Sequence, residues 1–304
     1  MFQRIGTDGI DVLGGTPRAD IIYGDPYTVG SQYEIEEVGS ILVEGSGFLG
    51  LGIGGFDLID GFSGKDTLVG DAAEIGETGA GGWDIIHGGN GVDLIAGDAD
   101  RVFGEGGNDI IKGGKGGDGL FGDAFDAFGG NANGGDDVIT GGRGKDFIIG
   151  DGGLMFGNAE GGDDRLYGGR GNDTVSGDGI SLNEGATGGD DFISGGRGND
   201  HPYGDAFNAE FLAENEFAGG FDTFYFGDKS GQDFIYDFEI GKDTIVIGGY
   251  DAVETFADLD IAETDGNTII DLGASNGMAA GRHTVTVLDA TGLTAADVAF
   301  DLFA

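Results

Sequence analysis

The sequence predicts an all-β chain wound as a solenoid of short, stacked, parallel strands. Three observations carry that expectation. The 304 residues hold 70 glycines against three prolines, a GGxD motif returns about every 27 residues, and an aliphatic side chain stands two residues after nearly every motif aspartate. Glycine is roughly three times its usual share. With no strict third-residue period and almost no proline, collagen is excluded, so the glycines serve turns that need positive φ or a close backbone approach.

The GGxD aspartates fall at Asp57, Asp84, Asp109, Asp137, Asp164, Asp191 and Asp222, at steps of 27, 25, 28, 27, 27 and 31. In every copy but the last, a second aspartate follows nine residues on, at Asp66, Asp93, Asp118, Asp146, Asp173 and Asp200. A third comes five residues later in a GD pair, at Asp71, Asp98, Asp123, Asp151, Asp178 and Asp205. One more copy at the N-terminus places Asp11, Asp20 and Asp25 at the same spacing, which makes seven complete cassettes. Residues 28–53, containing YEIEEVGSILVEG, read as an insertion that forms an extra surface hairpin.

The apolar positions are Leu13, Ile59, Ile86, Ile111, Ile139, Leu166 and Ile193 in the first half-cassettes, then Ile22, Leu68, Ile95, Leu120, Ile148 and Val175 in the second. Each half-cassette therefore reads as a glycine turn followed by a three-residue strand whose middle side chain points inward. Such a unit cannot stand alone, but stacked in register it builds a continuous thin core. Pro202 takes the apolar place in the last half-cassette, so that half-turn is expected to lack a regular strand.

The formal net charge of -42 repels nucleic acid and favours cations. Stacking sets equivalent aspartates about 4.8 Å apart, where like charges repel by roughly 1 kcal/mol even in water. A hard divalent cation between coils reverses that sign, and calcium accepts about six to eight carboxylate and carbonyl oxygens. The GD aspartates replace the second glycine of the next turn and read as ligands or as groups that fix them. Asp136, Asp163 and Asp190, beside the first cassette aspartates, read as further ligands or as solvated charges.

The segments GGRGKDFII, GGRGNDTVS and GGNGVDLIA resemble the nonapeptide GGxGxDxUx of RTX (hemolysin-type) calcium-binding proteins, repeated over about two-thirds of the chain. The resemblance implies a right-handed parallel β-roll, a β-helix solenoid with calcium between turns. Its ligands would be the cassette aspartates together with turn glycines such as Gly142, Gly144, Gly169, Gly171, Gly196 and Gly198. Each cassette adds about nine residues after the GD pair to the family's coil, for example GGLMFGNAE or GISLNEGAT. These are expected to be inserted loops protruding from a two-sided roll, with a three-sided parallel β-helix as the alternative.

Residues 1–218 thus form the repeat region, and 219–304, rich in aromatic and β-branched residues, read as a β cap. Phe224, Phe226, Phe234, Ile235, Phe238 and Ile245 are its candidate core. Down to the final LTAADVAFDLFA the tail resembles serralysin-like exoproteins, which implies an uncleaved type I secretion signal. The N-terminus lacks the apolar core of a secretory signal peptide, and no run approaches the ~18 apolar residues of a spanning helix, so neither a cleaved signal nor an anchor is expected. A secreted, extracellular location follows, and with no cysteine no disulfide stabilises the chain.

Catalytic constellations are missing. His87, His201 and His283 form no HExxH, the serines of EGSGF and GFSGK do not fit GxSxG, and a thiol nucleophile is impossible. Trp83 reads as a surface or partner contact. The expected function is an exported, non-enzymatic calcium-binding protein that folds on Ca2+ outside the cell, with a structural, matrix or host-interaction role. One alternative is a calcium-dependent pore-former inserting AFNAEFLAENEFA or GFLGLGIGGF. Another is a polysaccharide-binding module related to RTX carbohydrate-modifying enzymes. Expected partners are calcium ions, type I secretion machinery and extracellular polysaccharide or a cell surface.

Overall fold

The computed structural model describes residues 3–5, 11–15, 21–23, 54–183, 185–207, 219–277 and 279–301. The hairpin expected within 28–53, the aspartates Asp20 and Asp25, and most of the two apolar segments lie outside these residues.

The repeats form parallel sheets, one strand per coil per sheet. A first wall stacks Asp11–Gly14, Asp57–Asp60, Ile85–Gly91, Ile110–Lys115, Val138–Arg143, Arg165–Arg170 and Phe192–Arg197. A second stacks Gln3–Ile5, Ile21–Tyr23, Thr67–Val69, Leu94–Ala96, Gly119–Phe121, Phe147–Ile149, Thr174–Ser176 and His201–Tyr203. Register is strict: Ile111 lies beside Ile86 and Ile139, and Leu120 beside Ile95 and Ile148.

That register follows from the side-chain period of two, because a one-residue slip would turn every inward aliphatic to solvent. Ile59, Leu68, Ile86, Ile95, Ile111, Leu120, Ile139, Ile148, Leu166, Val175 and Ile193 fill the space between the two walls and are fully buried. Each contributes roughly 1.5–3 kcal/mol relative to exposure. Leu13 packs against the same core half-buried.

The inserts do protrude, leaving and returning at one corner of this two-walled roll, but they are not irregular loops. Ala72–Ile75, Ala99–Val102, Ala124–Gly130, Gly152–Gly157 and Gly179–Leu182 pair in parallel as a third sheet. Its own core holds Ile75, Val102, Phe128, Met155 and Leu182 with a row of alanines, Ala132, Ala159 and Ala186. The register slips on both sides of Ala124–Ala127, where this coil carries one extra residue. Such a bulge bends one strand and leaves the rest of the ladder paired.

Pro202 corrects the expectation drawn from its sequence position, for His201–Tyr203 is a paired strand with Val175 opposite Pro202. The reason is its place at the end of the sheet. The His201 N–H donates back to the Asp173 carbonyl and the Tyr203 carbonyl accepts from Gly177. Backbone groups alternate sides along a strand, so the proline nitrogen faces away from Thr174–Ser176 and toward Gln232–Ile235, which docks on that edge through the Phe234 N–H to the Asp200 carbonyl at 3.0 Å without joining the ladder.

The first wall runs on without a break through Thr223–Phe226, Thr244–Gly248 and Val298–Asp301. Beside it Gln232–Ile235, Thr284–Val287, Asn267–Asp271 and Asp260–Thr264 form a four-stranded mixed sheet. Phe224, Phe226, Ile235, Phe238 and Ile245 are buried and extend the roll's core. Phe234 is instead half-buried on the outer face and stacks on His201, ring centroids 5.8 Å apart at 14°.

Candidate metal centre

The aspartates of the nonapeptide turns form one continuous row. The N–H of Asp66 donates to Asp93 Oδ1 at 2.9 Å, that of Asp93 to Asp118 at 2.9 Å, Asp118 to Asp146 at 2.9 Å, Asp146 to Asp173 at 2.8 Å and Asp173 to Asp200 at 2.8 Å. One carboxylate oxygen on each rung is thus spent holding the preceding coil. The other, Oδ2 of Asp93, Asp118, Asp146, Asp173 and Asp200, is buried without a hydrogen-bond donor.

What those oxygens face explains the glycine beside them. A Cβ on Gly113 would lie 2.7 Å from Asp118 Oδ2 and 2.8 Å from the Gly141 carbonyl oxygen, and Gly141 has the same surroundings one coil on. Carboxylate and carbonyl oxygens of adjacent coils therefore converge on one small space. Gly142, Gly169 and Gly196 follow with φ of 106°, 102° and 92°, and Gly144, Gly171 and Gly198 with 146°, 155° and 148°. At Gly144 a Cβ would fall 1.1 Å from the Gly116 carbonyl oxygen, so no side chain fits between the turns. The first glycines of the turns, Gly113, Gly141, Gly168 and Gly195, were not among the residues the sequence singled out. Their signal is their place at the head of every nonapeptide.

A second row lies on the opposite corner, where each insert leaves and returns. Asp57 donates through its N–H to Asp84 at 2.6 Å, Asp84 to Asp109 at 2.6 Å, Asp109 to Asp137 at 2.6 Å, Asp137 to Asp164 at 2.8 Å, Asp164 to Asp191 at 2.8 Å and Asp191 to Asp222 at 3.0 Å. Here the GD aspartates turn into the same space. Asp71, Asp98, Asp151, Asp178 and Asp205 accept from the N–H of Gly82, Gly107, Gly162, Gly189 and Gly220 at 2.6–2.9 Å, and Asp123 from Gly135 at 3.4 Å. Those bonds span between 9 and 15 residues, so the insert closes on itself across the aspartate.

This row carries two carboxylates per coil against one in the nonapeptide row. Asp57, Asp71 and Asp84 bring one oxygen each within 4.8 Å of one another. A Cβ on Gly97 would lie 1.9 Å from both Asp109 Oδ2 and the Gly122 carbonyl oxygen, which repeats the oxygen cradle of the other corner.

Electrostatics separate the rows in degree. Burial, reinforced by the neighbouring aspartates, holds Asp98, Asp109, Asp123, Asp137, Asp151, Asp178 and Asp191 well above the usual carboxylate range. In the nonapeptide row burial pushes Asp118, Asp146, Asp173 and Asp200 up to about 6, opposed by the backbone N–H each accepts from the preceding coil. From Asp93 onward, among the described residues, no lysine or arginine pairs with an aspartate of either row.

Both rows continue into the C-terminal region, which the repeat pattern did not reveal. Asp200 donates to Asp233 at 2.9 Å, Asp222 to Asp243 at 3.1 Å, and Asp237 accepts from Gly204, Asp205 and Ala206. Burial raises Asp222 and Asp233 to about 8, and Asp237 and Asp243 to about 6. The signal was present in GQD and GKD, shortened forms of the repeat turn.

Other candidates are placed apart. Asp136, Asp163 and Asp190 are exposed and brace successive turns, Asp163 N–H to Asp136 at 3.2 Å and Asp190 N–H to Asp163 at 2.9 Å. Trp83 is half-exposed and leans on Phe56. Asp11 stands in the first wall opposite Asp57, its side chain outside the description.

A buried, donor-poor oxygen cage repeated at every coil fits a hard divalent ion. Carboxylates supply the charge, glycine carbonyls complete the shell, and the missing side chains leave the room. Calcium would be held by Asp93, Asp118, Asp146, Asp173 and Asp200 with the turn carbonyls on one corner, and by the paired aspartates on the other.

The crystal structure of the extracellular lipase LipA from Serratia marcescens is similar over 97% of this chain, at 16% identity and a TM-score of 0.34, and the chain spans 40% of that lipase's length. No curated protein matches. Residues 5–26, 53–73, 78–95, 95–127, 131–153, 158–179 and 186–208, together more than half of the chain, match the family described as RTX calcium-binding nonapeptide repeat (4 copies). The chain belongs to the family of RTX calcium-binding repeat proteins.

Proposed function

We propose that this protein is an exported, non-enzymatic calcium-binding protein whose roll closes on calcium outside the cell and acts there as a rigid structural, matrix or host-contact element. The observation that carries the proposal is the pair of buried carboxylate rows. In Asp93, Asp118, Asp146, Asp173 and Asp200 on one corner and in Asp109, Asp137, Asp164 and Asp191 on the other, one buried oxygen accepts no hydrogen bond, and among the described residues none of these aspartates is in an ion pair with lysine or arginine. A hard cation supplies there the charge compensation that the protein does not, and its binding free energy becomes folding free energy. In a calcium-poor cytosol the rows repel and the chain stays open for export, and in a calcium-rich exterior it folds.

Two of the three histidines, His201 and His283, support the non-enzymatic reading. His201 is bonded to the Tyr236 hydroxyl at 2.8 Å and His283 to that of Tyr250 at 3.2 Å, each in a separate structural contact. Calorimetric titration with calcium and with magnesium, followed by circular dichroism, tests the metal arm, and calcium-selective uptake with a cooperative gain of β signal is expected. Export is tested by fusing residues 219–304 to a reporter in cells carrying a type I secretion system. A fusion retained in the cytoplasm removes that route.

A further inference from the structure

On this strongly acidic chain one corner carries aligned positive charge. The register pairs Lys115 with Arg143, Arg143 with Arg170, and Arg170 with Arg197, so four cations stand one above another on successive coils. All four are exposed, and they are four of only 14 lysines and arginines in the sequence. Among the described residues none of them forms an ion pair, and Lys115 Nζ donates instead to the Asn90 side-chain Oδ1 at 3.0 Å.

Like charges directly opposite on neighbouring strands are destabilising, and a chain with 56 acidic residues could have neutralised each of them locally. Instead they border an open groove of about 790 Å³ lined by Asn90, Lys115, Thr140, Arg143, Arg170 and Arg197. The groove runs along the stack, across coils, so its charges repeat at about the 4.8 Å strand spacing. Next to Thr140 in the ladder stands Tyr167, partly exposed, its ring 5.8 Å from Phe192.

We propose that this groove binds an extended, carboxylate-bearing polysaccharide along the roll axis. The guanidinium groups pair with its carboxylates, for which their planar donor pattern is suited, and Tyr167 offers an amphipathic face to a sugar ring. A narrow, single, regularly charged chain fits a stripe one side chain wide. A duplex nucleic acid or a flat anionic membrane would press against the acidic surface on either side. The proposal rests on the calcium-closed roll, since only stacked coils align the four cations.

The test titrates the calcium-loaded protein with hyaluronan, with dextran as the uncharged control, beside the triple variant R143Q/R170Q/R197Q and the control Arg101→Gln. Arg101 lies elsewhere and pairs with Glu74. Circular dichroism and calcium calorimetry on the same samples report whether each variant folds. Hyaluronan is expected to bind and to weaken with salt, and the triple variant to lose affinity on the order of a hundredfold, about fivefold per guanidinium removed. Arg101→Gln should match the parent. Equal binding by the triple variant, equal binding of dextran, or stripe-dependent retention of anionic vesicles or duplex DNA in preference to hyaluronan overturns the proposal. Calcium uptake without hyaluronan binding overturns this proposal alone, and absence of calcium uptake overturns the roll on which it rests.

Discussion

Withdrawing divalent metal at neutral pH is expected to unfold the repeats. From Asp57 to Asp222, and from Asp66 to Asp233, each row offers six successive pairs of aspartates on adjacent coils. A site held at a hundred times its dissociation constant contributes about 2.7 kcal/mol. Three occupied spaces would therefore supply about 8 kcal/mol, comparable with the roughly 5–15 kcal/mol net stability of ordinary domains, and fuller occupancy would exceed it. Acid should partly replace the metal. Asp118, Asp146, Asp173 and Asp200 titrate near 6 in the folded chain against 3.8 for the ordinary carboxyl. Between those values the metal-free folded chain binds more protons than the unfolded one, so its stability falls as pH rises through the window and returns on acidification. In far-ultraviolet circular dichroism the metal-free chain is expected to show no cooperative melt at pH about 7.5 and a partial return of β signal near pH 4 to 5. A metal-free sample at neutral pH with the spectrum and melting temperature of the calcium form would refute the argument.

Three further outcomes test other links. Gly144→Ala drives a Cβ into the Gly116 carbonyl oxygen and should cost about 3 kcal/mol or more, whereas Gly266→Ala, at φ 87° with nothing within 4 Å, should cost about 1 kcal/mol; melting midpoints in calcium compare them. Asp151→Asn removes charge from the insert corner, where Asp151 accepts from Gly162, and should lower the calorimetric calcium stoichiometry, while Asp163→Asn on the exposed turn leaves it unchanged. Ile148→Ala in the central core should cost about 2–5 kcal/mol and Phe128→Ala in the third sheet about 3–5 kcal/mol. Both should shift one common calorimetric transition, since the third sheet joins the roll through the carboxylate row; two separated transitions for Phe128→Ala would show the lobe to be an independent unit.

The central core was legible because every inward aliphatic keeps a fixed offset from an aspartate that never shifts, as Ile86 does from Asp84 and Ile95 from Asp93. The third sheet was harder to read. Its inward residues also follow the GD aspartate by four places, at Ile75, Val102, Met155 and Leu182, but Phe128 stands at five and the companions are alanine and glycine. So low an apolar density resembles loop composition until stacking multiplies it. Pro202 has the local sequence of a strand breaker, and nothing near it in the chain shows that the second wall ends at His201–Tyr203. At the metal centre the aspartates were visible by repetition. Asp233, Asp237 and Asp243 were hidden because the double glycine that marks the other turns is absent around them.

The closing of each insert across one aspartate makes the coil part rigid and part elastic. In every complete cassette the GGxD aspartate precedes the nonapeptide aspartate by nine residues and that one precedes the GD aspartate by five, while the GD aspartate reaches its glycine partner after 9, 11, 12 or 15. All variation in circumference is taken up in that return path, where a single extra residue at Ala124–Ala127 is tolerated. The same addition within either main wall would swap the inner and outer faces of a strand. The side lobe is thus the place where this architecture can acquire new sequence, or accept a grafted peptide on every coil, while its carboxylate spine stays in step.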